Sequence, residues 1–132
     1  MLPTENLNIK DIEEICIIDD DSMALFLAEK IFEYEIPAVP VKIFNNVDKA
    51  LLYLASNKNI KRLIFVDLNM PMKDGWCFLE SYKGSKTTDL IFILSSSDSI
   101  IDKAKAKSFT QVADYLEKPI SIELVIGLVT KY

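Results

Sequence analysis

The chain alternates short apolar runs with segments of helical spacing, and this alternation limits its possible folds more than any other feature. The first run is EICIID, Glu14 to Asp19, and the segment after it, SMALFLAEKIFEY, has helical spacing with Ser22 as the predicted N-cap. The same pair recurs as VPVKIF before NVDKALLYLASNK, RLIFVD before GWCFLESYKGS, DLIFILS before SDSIIDKAKAKSF, and VADYLEK before PISIELVIGLVTKY. Pro119, which opens the last segment, fits the first turn of a helix or the loop before it.

Strands that are apolar throughout and separated by helices favour a parallel sheet that is buried on both faces, with right-handed crossovers. Five such units predict an α/β fold, a doubly wound parallel sheet of five strands with five helices. The length of 132 residues suits one domain. We therefore expect a single domain over residues 1–132, in which the polar residues 1–12 form an N-terminal extension.

Composition excludes several classes of function. The chain has no histidine, so a Ser-His-Asp triad, a histidine-ligated zinc site and a phosphohistidine are all ruled out. Its net charge of −5, without clustered lysine and arginine, argues against nucleic-acid binding. The N-terminus does not resemble a signal peptide, and no apolar run reaches membrane-spanning length, so we expect a soluble cytoplasmic protein. Cys16 and Cys77 form no CxxC motif and are expected to be partly buried thiols.

Polar residues end or follow four of the five predicted strands. Asp19 and Asp20 end the first strand, Asp67 the third and Ser95 the fourth, while Lys118 follows the fifth. Each has an ordinary explanation on its own, such as a helix cap, a polar loop or a surface lysine. Ligands of open α/β sheets bind at the carboxyl ends of the strands. Three carboxylates that meet there repel one another unless a cation or an ammonium group offsets them, so the set indicates a functional site.

The residue types at this edge match Mg²⁺ and phosphoryl transfer. Mg²⁺ prefers oxygen ligands, which Asp20 and Asp67 can supply, while Asp19 orients a bound water or bonds the metal indirectly. The Lys118 ammonium and the Ser95 hydroxyl are donors for phosphoryl oxygens. Because serine has no histidine to act as its base, a carboxylate is the better nucleophile, and Asp67 is predicted to be phosphorylated.

Four motifs, IIDDDS, FVDLNMPMKDGW, FILSSS and YLEKPI, resemble the receiver domain of two-component response regulators in both order and position. The resemblance extends from about Glu14 to Tyr132 and implies a flavodoxin-like sheet with strand order 2-1-3-4-5, the order of the chemotaxis receiver. It also implies that Asp67 is the phosphoacceptor. Mg²⁺ would be held by Asp19, Asp20 and Asp67 together with the backbone carbonyl of Asn69.

The resemblance also assigns a switch. Ser95 is similar to the switch hydroxyl, Lys118 to the lysine that pairs with the phosphoryl group, and Tyr115 to the aromatic residue that moves with the switch. A cis Lys118–Pro119 bond and a turn at Asp74 and Gly75 that opens the third helix are expected as well. In receivers, the residues two positions past the acceptor and past the switch hydroxyl flank the path of attacking water; here they are Asn69 and Ser97.

The chain departs from the receiver pattern in three places. Ser96 replaces the usual small residue after the switch hydroxyl, so either Ser95 or Ser96 contacts the phosphoryl group; Ser95 is favoured. The glycine that often precedes the fifth strand is missing from SFTQVADY, which affects the output face formed by helix 4, strand 5 and helix 5. Asp21 lengthens the acidic stretch and is interpreted as a solvated charge favoured by the helix dipole. The lysines of DKAKAKSF (Lys103, Lys105 and Lys107) are expected to border the output face or to be ordinary surface.

The leading hypothesis is a stand-alone, phosphorylation-dependent signalling switch without an output domain. It would take a phosphoryl group from a phosphohistidine on a histidine kinase or phosphotransfer protein and act on an unidentified effector. It would not be an enzyme beyond its own phosphorylation and dephosphorylation. Two alternatives stay open: a magnesium-dependent phosphatase of the haloacid-dehalogenase type, which wants an aspartate where this chain has Asn69, and a degenerate receiver that only binds proteins.

Overall fold

The computed structural model describes residues 9–84, 88–96 and 98–131. A 3-10 turn at Ile9–Asp11 precedes the sheet, and residues 1–8 of the expected N-terminal extension lie outside the described residues. Strands and helices then alternate, as predicted. The strands are β1 (Glu14–Ile18), β2 (Val41–Phe44), β3 (Arg62–Asp67), β4 (Asp89–Ser95) and β5 (Val112–Glu117). The helices are α1 (Ser22–Glu35), α2 (Val47–Ser56), α3 (Gly75–Ser81), α4 (Ile100–Lys107) and α5 (Ile122–Lys131).

All of the strand pairs are parallel, and their order is β2-β1-β3-β4-β5. This confirms the doubly wound α/β fold and the strand order that the receiver resemblance implied. The register places Asp67 opposite Leu94, so Ser95 stands one residue beyond the level of Asp67 on the neighbouring strand. The carboxyl ends of β1, β3 and β4 therefore meet at one edge, which is where the predicted site residues lie.

The core forms two layers, one on each face of the sheet. Phe32 of α1 packs on Phe65 with ring centroids 5.1 Å apart, and Phe65 stacks on Phe92 at 5.2 Å, on the face covered by α1 and α5. The other face packs against α2, α3 and α4. Only β1, β3 and β4 are buried along their whole length, because β2 and β5 are edge strands with partly exposed residues. The prediction that all five strands are buried on both faces was therefore wrong for the two edge strands, β2 and β5.

Two helix ends differ from the sequence predictions. Asp21, not Ser22, is the N-cap of α1, since its carboxylate accepts hydrogen bonds from the backbone N–H groups of Met23 (3.0 Å) and Ala24 (3.3 Å). Ser22 is the first helical residue. Helix α3 ends at Ser81, well before the end of the predicted segment, because the backbone at the next residue is extended.

A polar cluster closes the amino edge of the sheet, opposite the predicted site. Arg62 opens β3, is buried, and donates from Nε to Oε1 of Glu14 at 2.7 Å. The Tyr53 hydroxyl donates to the other Glu14 oxygen. Burial raises the pKa of Cys16, beside this pair, to about 12, and the Glu14 charge adds to the rise. The amino edge of the sheet is therefore held by a buried ion pair between Arg62 and Glu14.

No helix in the described part of the chain is long and apolar enough to cross a membrane.

Candidate functional site

Three aspartates form a carboxylate cluster at the carboxyl edge of the sheet. Asp19 and Asp20 follow β1 and Asp67 ends β3, and one oxygen from each lies within 4.8 Å of the others. Asp19 and Asp67 are buried, whereas Asp20 is exposed. The fold thus brings together the three carboxylates that the sequence placed at strand ends, and it leaves one side of the cluster open to solvent.

Local backbone contacts fix the direction of the two buried carboxylates. The N–H of Asp21 donates to Oδ1 of Asp19 at 3.0 Å, and the N–H of Asn69 donates to Oδ1 of Asp67 at 3.3 Å. Gly75, the first residue of α3, packs behind the end of β3. A Cβ at this position would lie 2.5 Å from the carbonyl oxygen of Asp67, so only glycine fits without a shift of the backbone.

Lys118 brings the cationic group of the site. Its Nζ lies 2.6 Å from Oδ2 of Asp19 and 3.4 Å from Oδ2 of Asp67, so the ammonium sits nearer to Asp19. The Lys118 N–H donates to the Ser95 carbonyl at 2.8 Å, which ties the β5–α5 loop to the end of β4. The Lys118–Pro119 bond is cis, as the resemblance implied, and Pro119 lies in the loop before α5.

Burial and charge perturb the pKa values of both partners. Burial, and after it the negative charge of Asp19, raise the pKa of Asp67 to about 6, although the Lys118 ammonium counteracts part of the rise. Burial alone would lower the pKa of Lys118. The hydrogen bond and ion pair with Asp19 outweigh burial, so the Lys118 pKa is raised and the ammonium keeps its charge. At neutral pH the site therefore contains an ionised Asp67 beside a permanent cation.

Of the predicted switch residues, Ser95 ends the strand next to that of Asp67, and Tyr115 lies one strand further along the sheet. Ser95 is the last residue of β4 and is fully buried, while Ser96 is exposed. Tyr115 on β5 is partly buried against the core layer on the α2, α3 and α4 face, and Nζ of Lys103 lies 5.9 Å from its ring centroid. Ser97, named above as a residue beside the water path, lies outside the described residues.

Two open cavities reach the carboxylate cluster. A groove of about 610 Å³ runs from Asp19, Ser96 and Lys118 along the side of α1 to Ile120. A smaller cleft of about 330 Å³ lies on the Asp20 side, between the β2–α2 and β3–α3 loops. The cluster can therefore be reached from both directions, which suits a reaction with a group carried by another molecule.

Sequence reasoning named Asp21 only as a solvated charge and Ser96 only as an alternative to Ser95, and the structure gives each a further contact at this site. Asp21 holds Asp19 through its backbone N–H while its side chain caps α1, and its position directly before the helical spacing was the available signal. The exposed Ser96 lines the groove with Lys118, and no periodicity in the sequence indicates its direction. Both residues act through loop geometry that a pattern of apolar residues does not encode.

The donor set fits a hard divalent cation. Three carboxylates supply anionic oxygens within one small volume, and the exposed Asp20 leaves room for water ligands, which Mg²⁺ retains in proteins. Softer metals prefer nitrogen or sulphur, and Cys16 lies buried beside Glu14, at the other edge of the sheet. The residues present thus match a hard cation such as Mg²⁺ better than a metal that prefers nitrogen or sulphur ligands.

Comparison with known proteins gives one consistent family. The family model of the response regulator receiver domain matches residues 15–130. The two-component response regulators ARR12 and ARR2 of Arabidopsis thaliana are 33% and 30% identical to the chain over 110 and 109 residues. Each match covers 83% of this chain but only 18% and 16% of the relative. The chain thus spans less than a fifth of the length of these relatives.

Solved structures agree with the sequence comparisons. A response regulator receiver protein from Dyadobacter fermentans superposes with a TM-score of 0.78 at 27% identity, covering 90% of this chain and 96% of that protein. A two-component response regulator from Cytophaga hutchinsonii gives 0.78 at 26% identity, covering 92% and 96%. The Vibrio cholerae chemotaxis protein CheY4, at 18% identity and a TM-score of 0.74, covers 91% and 98% and shows the same fold.

Proposed function

Because this chain belongs to the response regulator receiver domain family, a family of signalling modules, we propose that it is a switch whose state is set by phosphorylation of Asp67. The observation that carries this proposal is the position of Asp67. It is a buried carboxylate at the end of a central strand, grouped with Asp19 and Asp20 and 3.4 Å from the Lys118 ammonium. That grouping supplies a nucleophile and a fixed positive charge at one point.

The phosphoryl group comes from a phosphohistidine on a histidine kinase or phosphotransfer protein. An Asp67 carboxylate oxygen attacks the phosphorus, the O–P bond forms as the N–P bond breaks, and the leaving imidazole nitrogen takes up a proton. Lys118 offsets the negative charge on the phosphoryl oxygens, as the ammonium is already held at the site by Asp19. Later attack by water returns Asp67 to its carboxylate and releases phosphate.

Mg²⁺ would be held by the carboxylates of Asp19, Asp20 and Asp67 and by the backbone carbonyl of Asn69. When bound, the ion neutralises the carboxylates and the phosphoryl oxygens. The chain's own contribution is the alignment of these ligands: the Asp21 and Asn69 N–H groups hold two of the carboxylates in place.

The conformational readout uses Ser95 and Tyr115. A phosphoryl group on Asp67 adds three acceptor oxygens, and the Ser95 hydroxyl, or that of Ser96, donates to one of them. The resulting shift at the end of β4 is sensed by Tyr115 on the adjacent strand β5. An effector protein, which the chain does not identify, binds the altered face formed by α4, β5 and α5.

Two alternatives to the switch were left open by the sequence, and phosphorylation of Asp67 tests the second of them. A haloacid-dehalogenase-type phosphatase is disfavoured by the receiver family match and by Asn69, two positions after the acceptor. A degenerate receiver that only binds proteins would have the same fold without phosphorylation. The two remaining functions are therefore separated by whether Asp67 takes up a phosphoryl group.

The test is incubation of the purified chain with acetyl phosphate and Mg²⁺, followed by intact mass measurement. We expect a mass increase of one phosphoryl group that survives acid and is lost in base. Asp67→Asn should abolish it, and Asp48→Asn, which changes an exposed carboxylate paired with Lys73, is the matched control. A second reaction with a phosphorylated histidine phosphotransfer domain tests the proposed donor. Absence of labelling in both reactions would leave only the protein-binding role.

A further inference from the structure

The groove of about 610 Å³ along α1, referred to as the α1 groove, is polar at one end and apolar along the rest of its length. Its polar end consists of Asp19, Asp21, Ser96 and Lys118. Its walls are mainly apolar side chains from α1 and from the loop before α5 (Met23, Ala24, Leu27, Ile31, Pro119 and Ile120). Small-molecule sites in proteins have this composition, a mainly apolar cavity with a few polar groups at one place.

Helical spacing explains the α1 wall of the groove. Met23, Leu27 and Ile31 recur every four residues, so they follow one stripe of α1 that is about 12 Å long. Ala24 and Ala28 lie beside this stripe and also line the groove, and their small side chains leave room between the helix and the loop before α5. Met23 and Leu27 are 64% and 52% exposed. Two apolar side chains that the core does not cover therefore border an open channel.

The polar end of the α1 groove contains a cation that the groove shares with Asp67. The Lys118 ammonium lies 2.6 Å from Asp19 and 3.4 Å from Asp67, the proposed acceptor. The second carboxylate at this end, Asp21, accepts hydrogen bonds from two backbone N–H groups in the first turn of α1. Both carboxylates that line the groove therefore have donors of their own. A phosphoryl group bound at Lys118 would place an apolar substituent along the groove.

We propose that the α1 groove is an acyl subsite, which makes acyl phosphates with an extended apolar chain, such as hexanoyl phosphate, preferred small-molecule donors to Asp67. This inference rests on the proposed function and adds a substrate class to it. An Asp67 oxygen attacks the phosphorus, the new O–P bond forms as the bond from phosphorus to the acyl oxygen breaks, and the electron pair leaves on a carboxylate. A carboxylate leaves without taking up a proton, so this donor needs no general acid from a chain that has no histidine.

The first test compares labelling of the full chain by acetyl, butyryl and hexanoyl phosphate in Mg²⁺, with phosphoramidate as a donor that has no apolar group. A fully buried methylene strengthens binding about fourfold, and a groove open on one side should give about half of that free energy, or roughly twofold. Hexanoyl phosphate has four more methylenes than acetyl phosphate, so at low donor concentration it should label Asp67 on the order of tenfold faster. Intact mass measures the rates, and equal rates for the three acyl phosphates would overturn the proposal.

Two exposed leucines provide a matched pair of variants. Leu27, 52% exposed on α1, lines the groove, whereas Leu52, 71% exposed on α2, lies outside it. Leu27→Ser should reduce the preference for hexanoyl over acetyl phosphate by about threefold, while Leu52→Ser should keep the preference of the unsubstituted protein. Ala24→Leu fills the groove from the helix side and should remove most of the preference. An unaltered preference in both groove variants would show that the acyl chain does not bind along α1.

Binding without transfer separates failure of the acyl subsite from failure of the proposed function. Pentylphosphonate and methylphosphonate have a P–C bond that Asp67 does not break, and calorimetry in Mg²⁺ compares their affinities for the full chain. Pentylphosphonate should bind on the order of tenfold more tightly, and Ala24→Leu should abolish the difference.

The two measurements give distinct outcomes. If phosphoramidate and the acyl phosphates all fail to label Asp67, the proposed function fails, and the phosphonates still decide whether the α1 groove accepts an apolar chain. If phosphoramidate labels Asp67 but chain length changes neither labelling nor binding, the acyl subsite fails and the acceptor role of Asp67 stands.

Discussion

At the scale of single residues, the repulsion among the three carboxylates of Asp19, Asp20 and Asp67 is only partly offset by Lys118. Lys118 lies closer to Asp19 than to Asp67, so Asp67 keeps a pKa raised to about 6 by burial and by its charged neighbour. A carboxyl whose pKa is higher in the folded than in the unfolded state binds protons on folding. Its ionisation therefore destabilises the fold at neutral pH.

We predict that Asp67→Asn stabilises the chain in chelator at pH 7.5, by on the order of 2 kcal/mol. The folded pKa of about 6 lies above the ordinary value of 3.8, so the penalty is absent below that value, grows through this window and is complete above pH 6. The difference between variant and parent should therefore shrink as pH falls from 7 to 4. Urea unfolding at several pH values measures the difference in free energy of unfolding between Asp67→Asn and its parent. Asp20→Asn changes the exposed carboxylate and is the control, with a smaller effect expected. If Asp67→Asn were less stable than its parent at pH 7.5, the ionised Asp67 carboxylate would not destabilise the folded chain.

Two glycines give a matched pair of opposite predictions. A Cβ on Gly75 would meet the Asp67 carbonyl at 2.5 Å and the Leu68 Cα at 3.0 Å, whereas a Cβ on Gly127 in α5 would meet nothing within 4 Å. We expect Gly75→Ala to cost about 1–3 kcal/mol through overpacking. Gly127→Ala should stabilise by roughly 0.5–1 kcal/mol, because alanine is the better helix former. Thermal unfolding compares the two, and a neutral Gly75→Ala would refute the close approach to the acceptor strand.

At the scale of elements, the cap of α1 shows how one residue joins a helix to the site. The Asp21 side chain accepts from the backbone N–H groups of Met23 and Ala24, while its own N–H donates to Asp19. The start of α1 is therefore set by the same residue that orients a buried carboxylate. A helix start displaced by one residue would change both.

We predict that Asp21→Ala is about 1 kcal/mol less stable than Asp21→Asn. Both substitutions remove the charge, but asparagine retains a side-chain oxygen that caps the helix. Urea unfolding in chelator isolates the cap from any metal effect. Ser22→Ala serves as the control and should shift stability little, since Ser22 is not the cap; a larger loss at Ser22 than at Asp21 would restore the original prediction from the sequence.

At the scale of the whole molecule, the two edges of the sheet have different roles. The carboxyl edge carries three carboxylates that repel one another and that we propose to hold Mg²⁺. The amino edge carries the buried pair of Glu14 and Arg62, which stand in register on β1 and β3. Arg62 also stands in register with Asp89 on β4, so that one cation lies between two acidic strand starts.

We predict that Glu14→Gln costs about 3 kcal/mol, because it leaves the buried Arg62 charge without its main partner. The triple variant Glu14→Leu, Arg62→Met, Asp89→Asn removes all three charges and should recover most of the loss. Urea unfolding measures stability, and the acetyl phosphate reaction should label every variant that remains folded, since Asp67 lies at the other edge. If the triple variant were as unstable as the single one, the loss would come from packing and not from the unpaired charge.

The sequence by itself determined the elements and the positions of the reactive residues along them. Continuous apolar runs located β3 and β4 to the residue, and the residues that end those strands, Asp67 and Ser95, lie at the same edge of the sheet. These features depend on local periodicity and on the general rule that parallel strands share a carboxyl edge. Strand order came from the family resemblance, since several orders satisfy the same alternation.

Only the tertiary structure decided the contacts between distant segments. Burial stops at the edge strands, Lys118 lies nearer Asp19 than Asp67, and Trp76 stacks on Phe109 beneath Lys105. Each of these depends on how a crossover helix is placed over the sheet, and no pattern within one segment specifies that placement. The partners in such contacts are far apart in the chain and meet only after the sheet has assembled, so the position of a side chain in space, and not its place in the sequence, determines which charge or ring it contacts.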